Sequence, residues 1–419
     1  MNQINKELIK MGQDSKEAAR VIASLSTEAK NEALNSMAEA LLAESDYILK
    51  ANAEDLAIGK EKGLTDAFLD RLALSVERIQ GMSNGLKKMA RLEDPTLKTD
   101  AQWINEDGLK ITKRRVPLGV VGIIYEARPN VTADATGLCL KAGNAVILRG
   151  GSDALKTNKA VIKVLHKGLA STKVPQTAVQ LITDPSRELA GQFMKLNEYI
   201  DCLIPRGGAG LIQTVLKQAT VPVIETGVGN CHLYIHNAAD LEKATKILFN
   251  GKTQRPSVCN AVETLVIDRK IAEKSLKDIV KPLLEAGVEI RGEEDVQAII
   301  PEAVPATEED YSTEFLAEII VIKIVDNYSQ AVNHISHYST GHSDAIVTQD
   351  YDVAQDFMND IDSSSVYVNA STRFSDGEVF GFGGEIGIST QKLHARGPMG
   401  LDALTSYKYV IEGSGQIRQ

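Results

Sequence analysis

Residues 119–151 read GVVGIIYEARPNVTADATGLCLKAGNAVILRGG. GVVGIIYEA is an apolar, β-branched run of strand length, and NVTADATGLCLKAG has helical spacing behind Asn130, a candidate N-cap. NAVILRGG is a second strand. Strand, helix and strand in this order form a βαβ unit, and the pattern continues outward. SDALKTNKAVIKVLHKGLA reads as a helix, AVQLIT as a strand, PSRELAGQFMKLN as a helix and IDCLIP as a strand. GGAGLIQTVLKQ and VPVIE complete a doubly wound, mostly parallel α/β sheet, a class that binds ligands at the carboxyl ends of its strands.

Upstream, residues 1 to about 92 carry apolar side chains at three- and four-residue steps and read as helices, one stretch ending on Gly63 and another beginning at Thr65. QWINEDGLKITKRRV predicts a hairpin turning on Asp107-Gly108. Downstream, alternation resumes near residue 231 with CHLYIH, DLEKATKILFNG, ETLVID, a helix from Ile271 to Ala286, EIIVIKIVD and DAIVTQD. The chain of 419 residues exceeds what one core supports.

Composition bounds the partners. The net charge is −10, and basic residues are scattered, which argues against nucleic acid or an anionic membrane surface. The amino-terminal residues lack the apolar core of a secretory signal, and no run reaches membrane-spanning length. Four sparse cysteines suit reduced thiols in a cytoplasm. No P-loop is present, and the glycine clusters do not complete the dinucleotide fingerprint. Gly207, Gly208 and Gly210 nevertheless lie between a strand and a helix, where bare backbone can approach a phosphate or simply turn. His334 and His337 stand one helical turn apart without further ligands, so a solvated helix face is expected and no metal site.

KTQRPSVCNAVET, residues 252–264, places a thiol just ahead of a strand. Cys259 could be a small buried apolar group or a nucleophile. The segments VPLGVVGIIYEARPNVTADATGLCLKAGNAVILRGG, IPRGGAGLI, VIETGVGNCHLYI, KTQRPSVCNAVETLVI and NASTRFSDGEVFGFGGEIGISTQKLHARGPMGLDALTSYKY span roughly residues 114–410. In order and spacing they resemble the aldehyde dehydrogenase superfamily. The resemblance is closer to the branch that reduces L-glutamyl 5-phosphate.

That resemblance implies a Rossmann-type nucleotide domain (1–97 and 117–227), an α/β catalytic domain (228–401) and an oligomerisation arm (98–116 and 402–419). It implies Cys259 as the nucleophile of a thioacyl enzyme, with Asn130 as oxyanion donor unless it merely caps its helix. Glu225 matches the superfamily's glutamate upstream of the cysteine, a water-activating base in aldehyde-oxidising relatives. Ser152 stands where NAD-preferring relatives carry a glutamate. With Arg149 and Lys156 nearby it favours NADP(H), while Asp153 argues the other way. Glu314 resembles the glutamate that holds the nicotinamide ribose, without the Phe-Gly-Pro that usually follows. Arg373 and Arg396 are the candidate clamps for a substrate carboxylate, unless internal acids occupy them. The resemblance further implies a cytoplasmic dimer or tetramer coupled functionally to glutamate 5-kinase. A hydrolytic aldehyde dehydrogenase using NAD, or a cysteine acyltransferase without redox activity, would read similarly.

Overall fold

The computed structural model describes residues 4–126 and 128–418. Five helices open the chain: α1 (Lys6–Ala23), α2 (Thr27–Ala43), α3 (Ser45–Glu61), α4 (Asp66–Leu72) and α5 (Val76–Arg91). Asn5, Ser26, Thr65 and Ser75 cap four of them, each side-chain oxygen accepting from a backbone N–H of the first turn. The single helix expected from Thr65 is two, because Ala73 turns extended and Ser75 caps the next.

β1 (Thr99–Ile104) and β2 (Lys110–Pro117) pair antiparallel as the expected hairpin. Its turn includes Gly108 at φ 78°, a conformation that suits a residue without Cβ. There follow β3 (Val120–Tyr125), α6 (Asn130–Lys141), β4 (Ala145–Arg149), α7 (Leu155–Leu169), β5 (Val179–Leu181), α8 (Arg187–Phe193), β6 (Cys202–Arg206) and α9 (Ala209–Gln218). The four strands form a parallel sheet in the order β5-β4-β3-β6. The chain winds from β3 outward to β5, then crosses to β6 on the other side of β3. Strand order therefore reverses at the carboxyl ends of β3 and β6, where such sheets take ligands.

The second alternating region begins with β7 (Cys231–Ile235), α10 (Leu241–Thr253), β8 (Val262–Asp268) and α11 (Arg269–Glu285). Then come β9 (Glu289–Gly292), α12 (Glu294–Ile299), β10 (Val304–Pro305), β11 (Ile319–Val325), α13 (Tyr328–Tyr338), β12 (Ser343–Val347), α14 (Tyr351–Asp360) and β13 (Ser365–Val368). They make a seven-stranded parallel sheet, β10-β9-β11-β8-β7-β12-β13. Two short strands, β14 (Ile388–Ser389) and β15 (Gly397–Pro398), pair with each other. Last comes β16 (Thr405–Glu412), which joins β2 antiparallel and completes the sheet β1-β2-β16.

The chain forms two compact units. The first runs to Thr226 and includes Gly381–Gly387 and the stretch from Met399 onward; the second is Gly227–Phe380 with Ile388–Pro398.

His334 corrects an expectation. It does not lie on a solvated face: its ring is buried, 4.6 Å from Tyr338 and 5.1 Å from Tyr311. Among the described residues no helix is long and apolar enough to cross a membrane, and no group of three metal-ligating side chains converges.

Candidate active site

In the second unit the thiol sits on a turn between α10 and β8, at the amino end of the sheet. Cys259 is partly exposed, whereas Cys139, Cys202 and Cys231 are buried. Burial pushes the thiol of Cys202 up to about 12 and those of Cys139 and Cys231 well above the ordinary range, so these three stay protonated.

The backbone of Cys259 is gripped from two sides. A Cβ built on Gly229 would lie 1.5 Å from the Cys259 carbonyl oxygen, so only glycine fits there. The Cys231 thiol donates to the same oxygen at 3.2 Å. Gly229 N–H in turn donates to Glu314 Oε1 at 2.9 Å, which places Glu314 beside the support of Cys259. Burial raises the Glu314 carboxyl above its usual range, and the Gly229 N–H works against that rise. The Glu314 loop is itself tethered. Leu316, at φ 54°, donates its N–H to Glu263 Oε1 at 3.2 Å, and Glu263 forms a fully buried ion pair with Lys252. A bulky side chain in the left-handed region is strained, and such strain concentrates at functional sites. Removing one partner of the buried pair would cost about 3–5 kcal/mol.

A second loop, residues 371–375, is stitched to the thiol's loop. Asn260 Nδ2 donates to Ser375 O at 2.9 Å, Thr372 Oγ1 donates to Asn260 O at 2.7 Å, and Arg373 Nε donates to Gln254 Oε1 at 3.0 Å. Burial lowers the Arg373 guanidinium from its ordinary pKa, as does neighbouring Arg255, while the charge of a Cys259 thiolate acts the other way. Arg396 is placed differently: its Nη1 donates to Asp362 Oδ1 at 2.8 Å and its Nη2 to Asp362 O. Asp362 thus occupies one of the two candidate carboxylate clamps.

The first unit holds the remaining candidates. Asn130 does not cap α6. The helix begins on it, Pro129 is the cap residue, and the Asn130 amide donates to Asp134 Oδ2 at 2.9 Å. Glu225 is half-buried, and burial raises its carboxyl. Arg149 ends β4. Its Nη2 donates to Pro185 O at 2.8 Å, while its buried Nε has no hydrogen-bond partner among the described residues. Lys156 is engaged by Glu54 at 2.7 Å, and Asp153 pairs with Lys62 at 2.8 Å. Ser152 opens the short turn that follows Gly151 and is exposed.

Gly208 precedes α9, whose first turn has no side-chain cap. A Cβ on Gly210 would meet nothing within 4 Å, whereas one on Gly207 would strike Glu126 Cδ at 2.7 Å. An uncapped helix N-terminus in open space at the strand-order reversal fits a dinucleotide's phosphates, and the orphaned Arg149 Nε fits a further anionic group. Sequence reasoning missed Gly229, Cys231, Arg255 and the Lys252–Glu263 pair as parts of the site. Only Arg255, four residues before Cys259, carried a local signal.

The aldehyde dehydrogenase family model matches residues 3–304 and 291–410. Among curated proteins, the gamma-glutamyl phosphate reductase of Moorella thermoacetica is 56% identical over 408 residues, 97% of this chain and 98% of that one. That of Heliobacterium modesticaldum is 56% identical over 412 residues, covering 98% and 99%. The crystal structure of gamma-glutamyl phosphate reductase from Thermotoga maritima superposes with a TM-score of 0.97 at 48% identity, covering 99% and 100%. The chain belongs to the aldehyde dehydrogenase family of nicotinamide-dependent oxidoreductases, in its gamma-glutamyl phosphate reductase branch.

Proposed function

We propose that this enzyme reduces L-glutamyl 5-phosphate to L-glutamate 5-semialdehyde and phosphate with NADPH, the second step of proline biosynthesis from glutamate. The observation that carries this reading is Cys259, the one partly exposed cysteine, on a pinned turn beside Arg373 in a chain so similar to reductases of that name. The thiolate attacks the C5 carbonyl, the C5–O bond to phosphate breaks, and a thioester remains on Sγ. Thioesters stay electrophilic, which suits them to reduction. When bound, NADPH would supply a hydride for the thioester carbon; the C–S bond then breaks and Cys259 leaves as thiolate. Asn130 donates its amide to the oxyanion of both tetrahedral stages, a contribution of about 3 kcal/mol by analogy with other such donors.

Arg149 holds the 2′-phosphate, and the absence of a carboxylate at Ser152 removes the repulsion that would exclude it. Gly207, Gly208 and Gly210 receive the pyrophosphate and Glu314 the nicotinamide ribose, while Arg373 clamps the α-carboxylate. The β1-β2-β16 sheet supports a homo-oligomer, since Trp103, Tyr407, Tyr409 and Ile411 lie exposed on it. Reduced thiols suit a cytoplasmic setting, and a labile acyl phosphate calls for functional coupling to glutamate 5-kinase.

The test is absorbance at 340 nm as the semialdehyde is oxidised with NADP⁺, with and without inorganic phosphate. Phosphate should be required. An equal rate without it would identify a hydrolytic enzyme instead. Arg149→Ala should raise the KM for NADPH more than that for NADH; an equal rise would assign Arg149 to a feature the cofactors share.

A further inference from the structure

We infer that Arg255 is a substrate-binding residue whose guanidinium holds the phosphoryl group departing from the acyl carbon and, in reverse, the incoming inorganic phosphate. The inference rests on Cys259 being the nucleophile for an acyl phosphate and adds a subsite to that reading.

Arg255 and Cys259 occupy one short loop, and four residues of chain cannot separate them by more than about 14 Å. The loop is fixed at both ends: Gln254 accepts from Arg373 Nε, and Asn260 is bonded to Thr372 and Ser375. Arg255 therefore stands next to the residue that touches Arg373, close to the thiol. Among the described residues no carboxylate lies within ion-pair distance of either arginine. Two other cations are already engaged. Lys252 is buried against Glu263, and Arg396 is bound to Asp362.

Arg255 lies near enough to Arg373 for the two positive charges to repel, and Asp376, which also acts on Arg373, is not bonded to either among the described residues, so an arriving anion relieves that repulsion. The substrate brings two. Its phosphoryl group is attached through oxygen to the very carbon that Sγ attacks, and its α-carboxylate lies at the far end of the carbon chain. When the Sγ–C5 bond forms and the C5–O bond breaks, the electron pair and the extra negative charge go to phosphate. A guanidinium at that position binds the charge more tightly as it develops, and its fork matches phosphate oxygens. One arginine for each anion gives Arg255 the phosphoryl group and Arg373 the carboxylate.

The experiment is steady-state NADP⁺ reduction with glutamate 5-semialdehyde, varying inorganic phosphate and semialdehyde in turn, for the parent, Arg255→Gln, Arg255→Lys and Arg373→Gln. Arg255→Gln should raise the KM for phosphate at least tenfold and leave that for the semialdehyde within twofold. Arg255→Lys should recover part of the loss, and Arg373→Gln should show the opposite split. Inorganic phosphate should also slow iodoacetamide labelling of Cys259 in the parent but not in Arg255→Gln, a readout that needs no turnover. A phosphate KM within twofold of the parent in Arg255→Gln, or an equal rise for both substrates, would overturn the assignment. A parent rate indifferent to phosphate would instead remove the underlying reaction, and the subsite with it.

Discussion

In the proposed mechanism the chemistry at Cys259 depends on one sulfur atom. Serine at this position keeps the shape but replaces a thiol with a hydroxyl that ionises far less readily. Cys259→Ser should lower the rate by at least a hundredfold, with NADPH binding measured by fluorescence titration unchanged. Retention of more than a few percent of the rate would remove the nucleophile. Iodoacetamide should label Cys259 well ahead of Cys139, Cys202 and Cys231, because the other three thiols are buried and hard to ionise. Peptide mapping after a timed pulse reads this out. Glu225 separates two relatives of the same fold. Burial raises its carboxyl, which would suit a base that removes a proton from water. A reaction that releases phosphate needs no such base. Glu225→Gln should therefore keep phosphate-dependent turnover within about tenfold, where loss of a required base costs 10²–10⁴-fold. A thousandfold drop with an unchanged thermal melt would show that the proton transfer is real.

Among the elements, those with strong local signals were legible. The alternation from Val120 to Gln218 follows from unbroken apolar runs separated by helical spacing, and the hairpin follows from Asp107-Gly108. β13 was not legible, because SVYV lies in a serine-rich stretch and is only partly buried. β10, β14 and β15 are two residues each, too short to show any period. In the candidate site, Cys259 was readable from its neighbours in sequence. Gly229 was not, since its contact with Cys259 exists only once β7 and β8 pair. β16 alternates Tyr407, Tyr409 and Ile411 along one side, and Trp103 of β1 meets Tyr409 edge-on at 6.1 Å. Exposed apolar rows of this kind mark contacts with another chain. Tyr409→Asp with Ile411→Asp should reduce the mass measured by light scattering to a smaller species. An unchanged mass would place the subunit contact elsewhere.

Across the whole molecule, acid should destabilise the fold through two buried imidazoles. Burial lowers His334 to about 3 and His342 to about 4, against roughly 6.5 in an unfolded chain. Both remain neutral when folded, so the unfolded state gains protons first as pH falls below about 6.5. The contribution of these two groups is complete above that value and declines toward pH 4, by about 1.4 kcal/mol per pH unit for each histidine. Glu263, whose carboxyl burial raises to about 7, acts in the opposite sense, so the test is a difference: in urea unfolding at pH 7.5, 6 and 5, His334→Phe, which keeps the ring stacking, should lose less stability per pH unit than the parent by about 1.4 kcal/mol. A slope unchanged by the substitution would clear His334 of the effect.

The sheet β1-β2-β16 has a consequence for how this protein is made. Lys110 and Glu412, which face each other at one end of the β2–β16 pairing, are 302 residues apart in the chain. At ribosomal rates of 5–20 residues per second, roughly 15–60 s pass between the emergence of one partner and the other. Throughout that interval the uncovered edge of β2 is exposed on a nascent chain, open to mispairing. The second unit's seven-stranded sheet has been synthesised in full before the first unit receives its last strand. A premature stop near residue 400 would therefore damage the portion of the protein made first.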